Sequence, residues 1–409
     1  MRLRAWWLCA AVLVVASLAL GAAGCGRSVA STTTTEVTYT LLPVIAGGTP
    51  EATWGYVDRN GAWAILAQFQ RAGFFQEGLA PVELDGKWGY IDETGSLVVQ
   101  PQFTEAHYFT NGLARVATGP VRPGDRLVSA SGYGFIDKTG RMVIPATWDD
   151  AGDFSEGLAA VMRGSSCGFI DTTGKLVIAP KFDCVAPFSE GLAVAGVNGK
   201  SGYIDRRGKW VIKPQYVGLQ VSAVLDDPFG LGGQFQEGIA PVLVQGNGSD
   251  VFRGTCQYVN KDGKKAFAQV FESAGKFSEG LAPVEVDGQW GFINTSGRVV
   301  IRPQFEYPAG FPTAEFYLFD IQGFHEGLAP VAVNGQVGYI DKSGNFVVKS
   351  QYRRGWGFSG GFAYVFIGAS ESEDPPGGSA TGRQGVLDRT GRLVYESLPV
   401  SDSVITGQP

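Results

Sequence analysis

Apolar and polar residues alternate along most of the chain in short runs, and the runs recur in a fixed order. Leu79 to Leu84 is followed by Asp85-Gly86, then Lys87 to Asp92, then Glu93 to Gly95, then Leu97 to Val99. Alternation of period two, bounded by Gly, Asp and Pro, predicts strands rather than helices. Asp85-Gly86 predicts a two-residue type I′ hairpin, which needs positive φ at both positions. Asn198-Gly199, Asp287-Gly288 and Asn334-Gly335 repeat this hairpin further on. At the next corner, D-x-x-G, the Asp or Asn side chain can accept from backbone N–H groups just ahead, and the Gly closes the turn. Pro101, Pro145, Pro180, Pro214 and Pro303 then end the following strand or leave it at an edge, because proline donates no ladder bond. The pattern reads as a three-stranded antiparallel meander.

That meander is written nine times. Its full form is F-x-E-G-L-A-x-V, a short spacer, then W-G-Y-I-D-x-x-G-x-x-V-I-x-P-x-F. The second glycine-bearing pentad falls at Gly55, Gly89, Gly134, Gly168, Gly202, Gln257, Gly291, Gly338 and Gly385. The spacings are 34, 45, 34, 34, 55, 34, 47 and 47 residues, so a period of 34 carries inserted segments. Within it, Trp54, Trp88 and Trp290 fill the first aromatic position, and Gly55, Gly89 and Gly291 allow close backbone approach. Asp58, Asp92, Asp137, Asp171, Asp205 and Asp341 stand at the D-x-x-G corners. One meander cannot bury both faces, so each must pack on the next, giving an all-β tandem array. Three-stranded units favour an open or spiral solenoid-like array. A closed propeller-like ring, usually built from four to eight four-stranded blades, is the alternative.

These motifs resemble the WG repeats of bacterial proteins. The resemblance covers the chain from Thr53 to about Tyr395. It implies an all-β repeat body often attached to export signals, and it brings no catalytic residues. Trp is replaced by Tyr, Cys, Ser, Val or Gln in six of the nine copies.

Ahead of the array lies an address. Arg2 and Arg4 precede an apolar run from Ala5 to Ala23, which ends at Ala22-Ala-Gly-Cys25. Basic residues hold the cytoplasmic side while the apolar run enters the membrane. The segment resembles the lipobox of bacterial lipoproteins, with Ala22 in place of the usual leucine, and implies lipidation at Cys25. An uncleaved anchor or an ordinary signal peptide are the alternatives, and all three place the body outside the cytoplasm. The expected organisation is a signal peptide over 1–24, a Ser/Thr-rich tether and lead-in over 25–52, the array over 53–395 and a tail over 396–409.

Composition narrows the chemistry. The 59 glycines are spread throughout, as turns recurring along a fold require. Net charge is −6, with no basic run, which argues against nucleic-acid binding. Two histidines, His107 and His325, are too few for a His-based metal site, and no metal or cofactor is expected. The repeated Glu77, Glu156, Glu190, Glu237, Glu279 and Glu326 could form a row of carboxylates for cations or basic partners. Recurrence in every unit instead favours a turn residue bonded to local N–H groups. Each D-x-x-G corner offers one carboxylate, too few for calcium. Cys167 and Cys184, 17 residues apart, could form a disulfide in an oxidising compartment.

Five insertions, near 118–131, 217–234, 246–254, 306–323 and 367–382, are candidates for a binding face. The fourth holds Tyr307, Phe311, Phe316, Tyr317 and Phe319, which either contact a partner or cover neighbouring units. The reading that results is an exported, membrane-anchored, non-enzymatic scaffold that binds a protein or a cell-envelope glycan. A cell-envelope hydrolase using carboxylates from separate repeats, and a structural spacer, are the rivals.

Overall fold

The computed structural model describes residues 39–47, 53–120, 132–217, 233–247, 250–306, 323–368 and 381–401. Tyr307, Phe311, Phe316, Tyr317, Phe319 and Cys25 lie outside the described residues. Everything described belongs to one compact unit spanning Val37–Pro409. It is all-β, with nine small antiparallel sheets among the described residues, one for each pentad.

Unit 2 shows the plan. Its sheet runs Arg71–Ala72, Leu79–Leu84, Lys87–Asp92, Leu97–Phe103 in sequence order. The last three strands are the expected meander. The first is short and was not legible as a strand, because two paired residues carry no alternation. Six of the nine sheets have a first strand among the described residues, two residues long in four of them and six long in units 3 and 4. Asp85 and Gly86 both have positive φ, as do Asn198-Gly199, Asp287-Gly288 and Asn334-Gly335, so these hairpins are type I′. At the D-x-x-G corner, one Asp92 carboxylate oxygen accepts from the backbone N–H of Thr94 (2.9 Å) and Ser96 (3.1 Å). The same pair of bonds recurs at Asp58, Asp137, Asp171, Asp205 and Asp341. The pentad glycine lies against the following strand. A Cβ at Gly55, Gly89 or Gly291 would fall 2.5–2.6 Å from a backbone carbonyl oxygen.

The core sits between units. In each of the first eight units the pentad Tyr or Phe packs on the phenylalanine of the next unit's F-x-E-G. The eight pairs, from Tyr56–Phe75 to Tyr339–Phe358, have ring centroids 4.7–5.1 Å apart. Where the ring is Tyr, its hydroxyl also donates to a carbonyl of the next unit, as Tyr90 does to His107 (2.7 Å). Trp54 and Trp290 are buried and Trp88 is half-buried.

The array closes on itself. Leu42, Val44 and Val57 of the first unit share a buried cluster with Phe362 and Val386 of the last. The first sheet, Leu41–Ile45, Trp54–Asp58, Trp63–Phe69, has three strands among the described residues. In unit 2 the corresponding strand edge is paired by the first strand, through Arg71↔Glu83 and a bond from the Gly73 N–H to the Pro81 carbonyl. In unit 1 side chains of unit 9 take these places. Tyr364 donates to the Pro43 carbonyl (3.1 Å), Tyr395 donates to the Ile45 carbonyl (2.7 Å), and the Ile45 N–H donates to Gln384 Oε1 (3.0 Å). Of the two arrangements left open by the repeats, the closed propeller-like ring is formed, and the leaning toward an open array is corrected. That leaning came from a strand count of three, which the short first strands raise to four. Two boundaries move as well. Leu41–Ile45, inside the expected lead-in, is the first unit's L-A-P-V strand, and Val400–Ser401, inside the expected tail, pairs with Thr381 and Gly382.

Because Gln384 and Tyr364 stand in for a strand, Gln384→Leu combined with Tyr364→Phe leaves two buried backbone groups of unit 1 without these partners. A loss of about 1–3 kcal/mol for each orphaned group is expected. Chemical denaturation of the double variant, with an unchanged midpoint, would refute closure by these bonds.

Candidate functional site

Antiparallel strands place their connections at alternate ends. The E-G turn and the D-x-x-G corner therefore share one face of the array, here called the corner face. The D-G hairpin and the link between units share the other, the hairpin face. Hydrogen bonds confirm both pairings. On the corner face Lys138 bonds Glu77 (3.1 Å) and Lys342 bonds Glu279 (2.9 Å). On the hairpin face the link residue Asp183 accepts from the Asn198 N–H (2.6 Å), and Glu306 from the Gly335 N–H (2.9 Å).

The repeated glutamates join units. Glu77, Glu156, Glu190, Glu237, Glu279 and Glu326 all have φ of 51–55°, the left-handed region. Each forms a type I′ turn with the glycine after it. The turn is as expected, but the carboxylate does not bond locally. Glu77 accepts from the Gly112 N–H, Glu190 from Gly238, Glu237 from Gly280 and Glu326 from Gly361, always the glycine of the next unit's own turn. Four also hold a corner cation of that next unit: Lys138, Arg206, Lys261 and Lys342. For Glu279, burial raises the carboxyl pKa but the bond and charge of Lys342 outweigh it and lower the pKa overall. Where the row departs, the joint changes with it. Asn111 replaces Glu in unit 3, and the next unit's corner carries Thr172 in the cation's place. Gly360 replaces Glu at the closing joint, where a Cβ would run into the Tyr39 ring, and Arg59 bonds the carbonyls of Tyr39 (2.9 Å) and Gly360 (3.2 Å) instead. These carboxylates are structural joints.

One unit departs from the repeat in a chemically distinctive way. Unit 3 carries Arg115 where five other units have proline, and its side chain is 1% exposed. Arg115 donates to the Ala151 carbonyl, to Asp153 (3.2 Å) and to His107 Nδ1 (2.7 Å). Arg can only donate, so His107 Nδ1 accepts and its proton sits on Nε2, which meets Glu105 at 2.7 Å. The other Glu105 oxygen accepts from the Tyr133 hydroxyl (2.7 Å). Burial alone would raise the Glu105 pKa. The His107 and Tyr133 bonds and the Arg115 charge win, and hold it at about 2. Glu105, His107 and Asp153 keep a quarter to two-fifths of their side chains open to water, so the network reaches the surface. Sequence reasoning missed it. The signal was that Glu105, His107 and Arg115 all fall at positions the repeat leaves free to vary.

Beside it lies a group of rings from four units. Phe74 stacks on Tyr39 (4.8 Å) and meets Tyr364 edge-on (5.6 Å). Burial, then the nearby phenols of Tyr108, Tyr39 and Tyr56, pushes the Tyr364 hydroxyl well above its ordinary value.

Cys167, Cys184 and Cys256 form no disulfide in this structure, so the bridge considered between Cys167 and Cys184 is not made. The Cys167 sulfur faces the Asp183 carbonyl (3.8 Å) in the core of its unit, and burial pushes its pKa up to about 12. Among the described residues no cluster of His, Cys, Asp and Glu fits a metal ion, and no helix is long and apolar enough to cross a membrane.

A closed ring of small antiparallel sheets, each built on one copy of the same motif, defines a propeller-like repeat protein. The chain belongs to the WG containing repeat family, which matches it at residues 54–88, 88–119, 133–165, 168–200, 202–219, 258–290, 290–317 and 338–369. No curated protein matches. Among solved structures, the chain is similar to the dihydro-heme d1 dehydrogenase NirN, at 13% identity and a TM-score of 0.42, over 90% of this chain and 74% of that one. It is also similar to Kluyveromyces lactis Hsv2, at 10% identity and a TM-score of 0.33, over 73% and 92%. A quinoprotein alcohol dehydrogenase-like protein from Bacteroides thetaiotaomicron matches at 11% identity and 0.32, over 86% and 84%. Likenesses this distant carry nothing about activity.

Two outcomes follow from the bonds above. Glu279→Ala removes an acceptor for the Gly327 N–H and the Lys342 partner while leaving a non-glycine residue at φ 55°. A loss of about 1 kcal/mol is expected, discounted for solvent screening of the ion pair, with Glu279→Asn losing less because Asn tolerates that backbone. Equal stability of wild type and Glu279→Ala in urea would sink the joint. The depressed Glu105 pKa contributes stability that is present above the ordinary glutamate value and lost as pH falls from about 4.5 toward 2. Glu105→Gln should flatten that part of the stability–pH curve, and an unchanged acid slope in the variant would contradict the network.

Proposed function

We propose that this protein is an exported, lipid-anchored scaffold that binds an extracytoplasmic partner, a protein or a cell-envelope glycan, on its hairpin face. The observation that carries the reading is the placement of the insertions. Those near 118–131, 246–254 and 367–382 replace a D-G hairpin, being bracketed by the second and third strands of units 3, 6 and 9. Those near 217–234 and 306–323 fall between the last strand of one unit and the E-G turn of the next. Three of the five insertions thus take the place of a D-G hairpin on the hairpin face, and none interrupts an E-G turn or a D-x-x-G corner. The described chain begins at Tyr39, on the corner face.

A binding role fits better than catalysis because the recurring carboxylates are engaged in joints. It fits better than a spacer because a spacer gives no reason for one face to vary. Tyr307, Phe311, Phe316, Tyr317 and Phe319 belong to one of these segments, and aromatic residues anchor both protein and sugar partners. Export with lipidation at Cys25 accounts for the apolar run and the residues that end it.

The test is a paired screen on glycan arrays and envelope proteins. It uses the full chain and a variant whose 307–322 segment is replaced by a Gly/Ser linker. Binding by the full chain that falls in the variant, with thermal stability kept, is the expected result. Equal capture by both would assign the partner elsewhere. Metabolic labelling with palmitate, lost in Cys25→Ser, tests the anchor separately.

A further inference from the structure

We propose that the corner face is a docking surface for the lipid bilayer, so that the array lies against the membrane with its hairpin face outward. The proposal rests on the export and anchoring reading above and adds to it an orientation and a second membrane contact.

Three observations on the corner face support it. The fourth strands start there, and their second residue points into solvent in unit after unit. Val98, Val177, Val211, Val300 and Val347 are each 41–47% exposed. Valine is normally buried, and one exposed valine is unremarkable, but the same apolar position left open in five units makes a band. The residue two places earlier, directly after the corner glycine, is a cation in six of the nine corners: Arg141, Lys175, Lys209, Lys264, Arg298 and Arg392. All six are exposed. In units 4, 5 and 7 the exposed valine and the cation stand together, as Val177 with Lys175, Val211 with Lys209 and Val300 with Arg298, which suits the boundary between acyl chains and anionic headgroups. Part of the acidic charge of this face is neutralised, four joint glutamates by corner cations and Asp137 and Asp388 by Arg141 and Arg392. The joint glutamates are bonded to glycine N–H groups and corner cations of their neighbours, and the corner aspartates accept from backbone N–H groups.

The third observation is where the chain enters. Tyr39 lies on the corner face, bonded through Arg59 to Gly360. The residues from Cys25 to Thr38 span at most about 50 Å fully extended. The described chain thus begins on the face proposed to dock. A soluble protein partner would cover a patch on one side of the array, whereas the valines and cations recur around it, as a flat lipid surface requires.

The experiment is amine acylation of the full chain on vesicles of phosphatidylethanolamine and phosphatidylglycerol, read by mass spectrometry residue by residue. Lys87 and Lys200, at exposed hairpin-face positions, serve as internal standards. Relative to them, Lys175 and Lys209 should react several-fold more slowly in the wild type than in a variant carrying Val98, Val177, Val211, Val300 and Val347→Asp on the same vesicles. Both proteins should float with the vesicles through the N-terminal segment. Wild type that floats but leaves Lys175 and Lys209 as reactive as in the variant overturns docking and leaves anchoring intact. Wild type that neither floats nor shields these lysines overturns both. Should the five substitutions perturb folding, shielding in the wild type that disappears in 1 M salt supports docking, and shielding absent at every salt concentration overturns it.

Discussion

The ring of Phe169 is buried because Phe188 of the following unit lies 4.7 Å from it, and seven other joints repeat that contact. A unit in such an array cannot finish its own core. It hands an aromatic side chain forward, and whichever unit stands last would leave that surface in water. Closing the ring removes the problem at both ends at once. At the closing joint the last pentad has Val386, which packs on Leu42 and Val44, and the first unit receives its missing backbone partners from Tyr364, Tyr395 and Gln384. Side chains here do what a strand does elsewhere, because three hydrogen-bonding groups at the right spacing satisfy an edge whatever carries them.

The second layer of joining is electrostatic and local in reach. Glutamate is a poor choice for a left-handed backbone position, at a cost of roughly 1–2 kcal/mol. A bond from a neutral N–H to a charged carboxylate returns about 1.5–3 kcal/mol, enough to offset it. The cost is therefore tolerated where the next unit supplies the donor. In unit 3 the position holds Asn111, a residue that tolerates the conformation unaided. At Gly360 the conformation is free and the ring of Tyr39 uses the space.

A scaffold built this way separates what folds from what varies. Aromatics, corner aspartates and joint glutamates are spent on the ring. Free variation is left to the first strand and to the third residue of the second, which in unit 3 bring Glu105, His107 and Arg115 into one charged network, and to the hairpin face, where three insertions replace a D-G hairpin. The corner face repeats itself and the hairpin face does not. That asymmetry matches a protein with one side toward a uniform surface and the other toward a particular partner.

Much of this was legible in the residues. The nine pentads, the type I′ hairpins at Asp85-Gly86 and its copies, and the D-x-x-G corners are local, since φ preferences and bonds between residues two to four apart decide them. The sequence by itself thus determined the unit, the number of units and their dependence on one another. Other features were invisible for a physical reason. The first strand of a unit such as Arg71–Ala72 exists only because Glu83 and Val82 pair with it, so no pattern of its own announces it. Closure depends on Tyr364 and Gln384 reaching residues more than three hundred positions away, and the glutamate joints on a glycine 35 to 48 residues downstream. Whether nine units open into a spiral or close into a ring is decided by the small rotation from each to the next, a sum over all joints that no single motif encodes. Only the tertiary structure settled it.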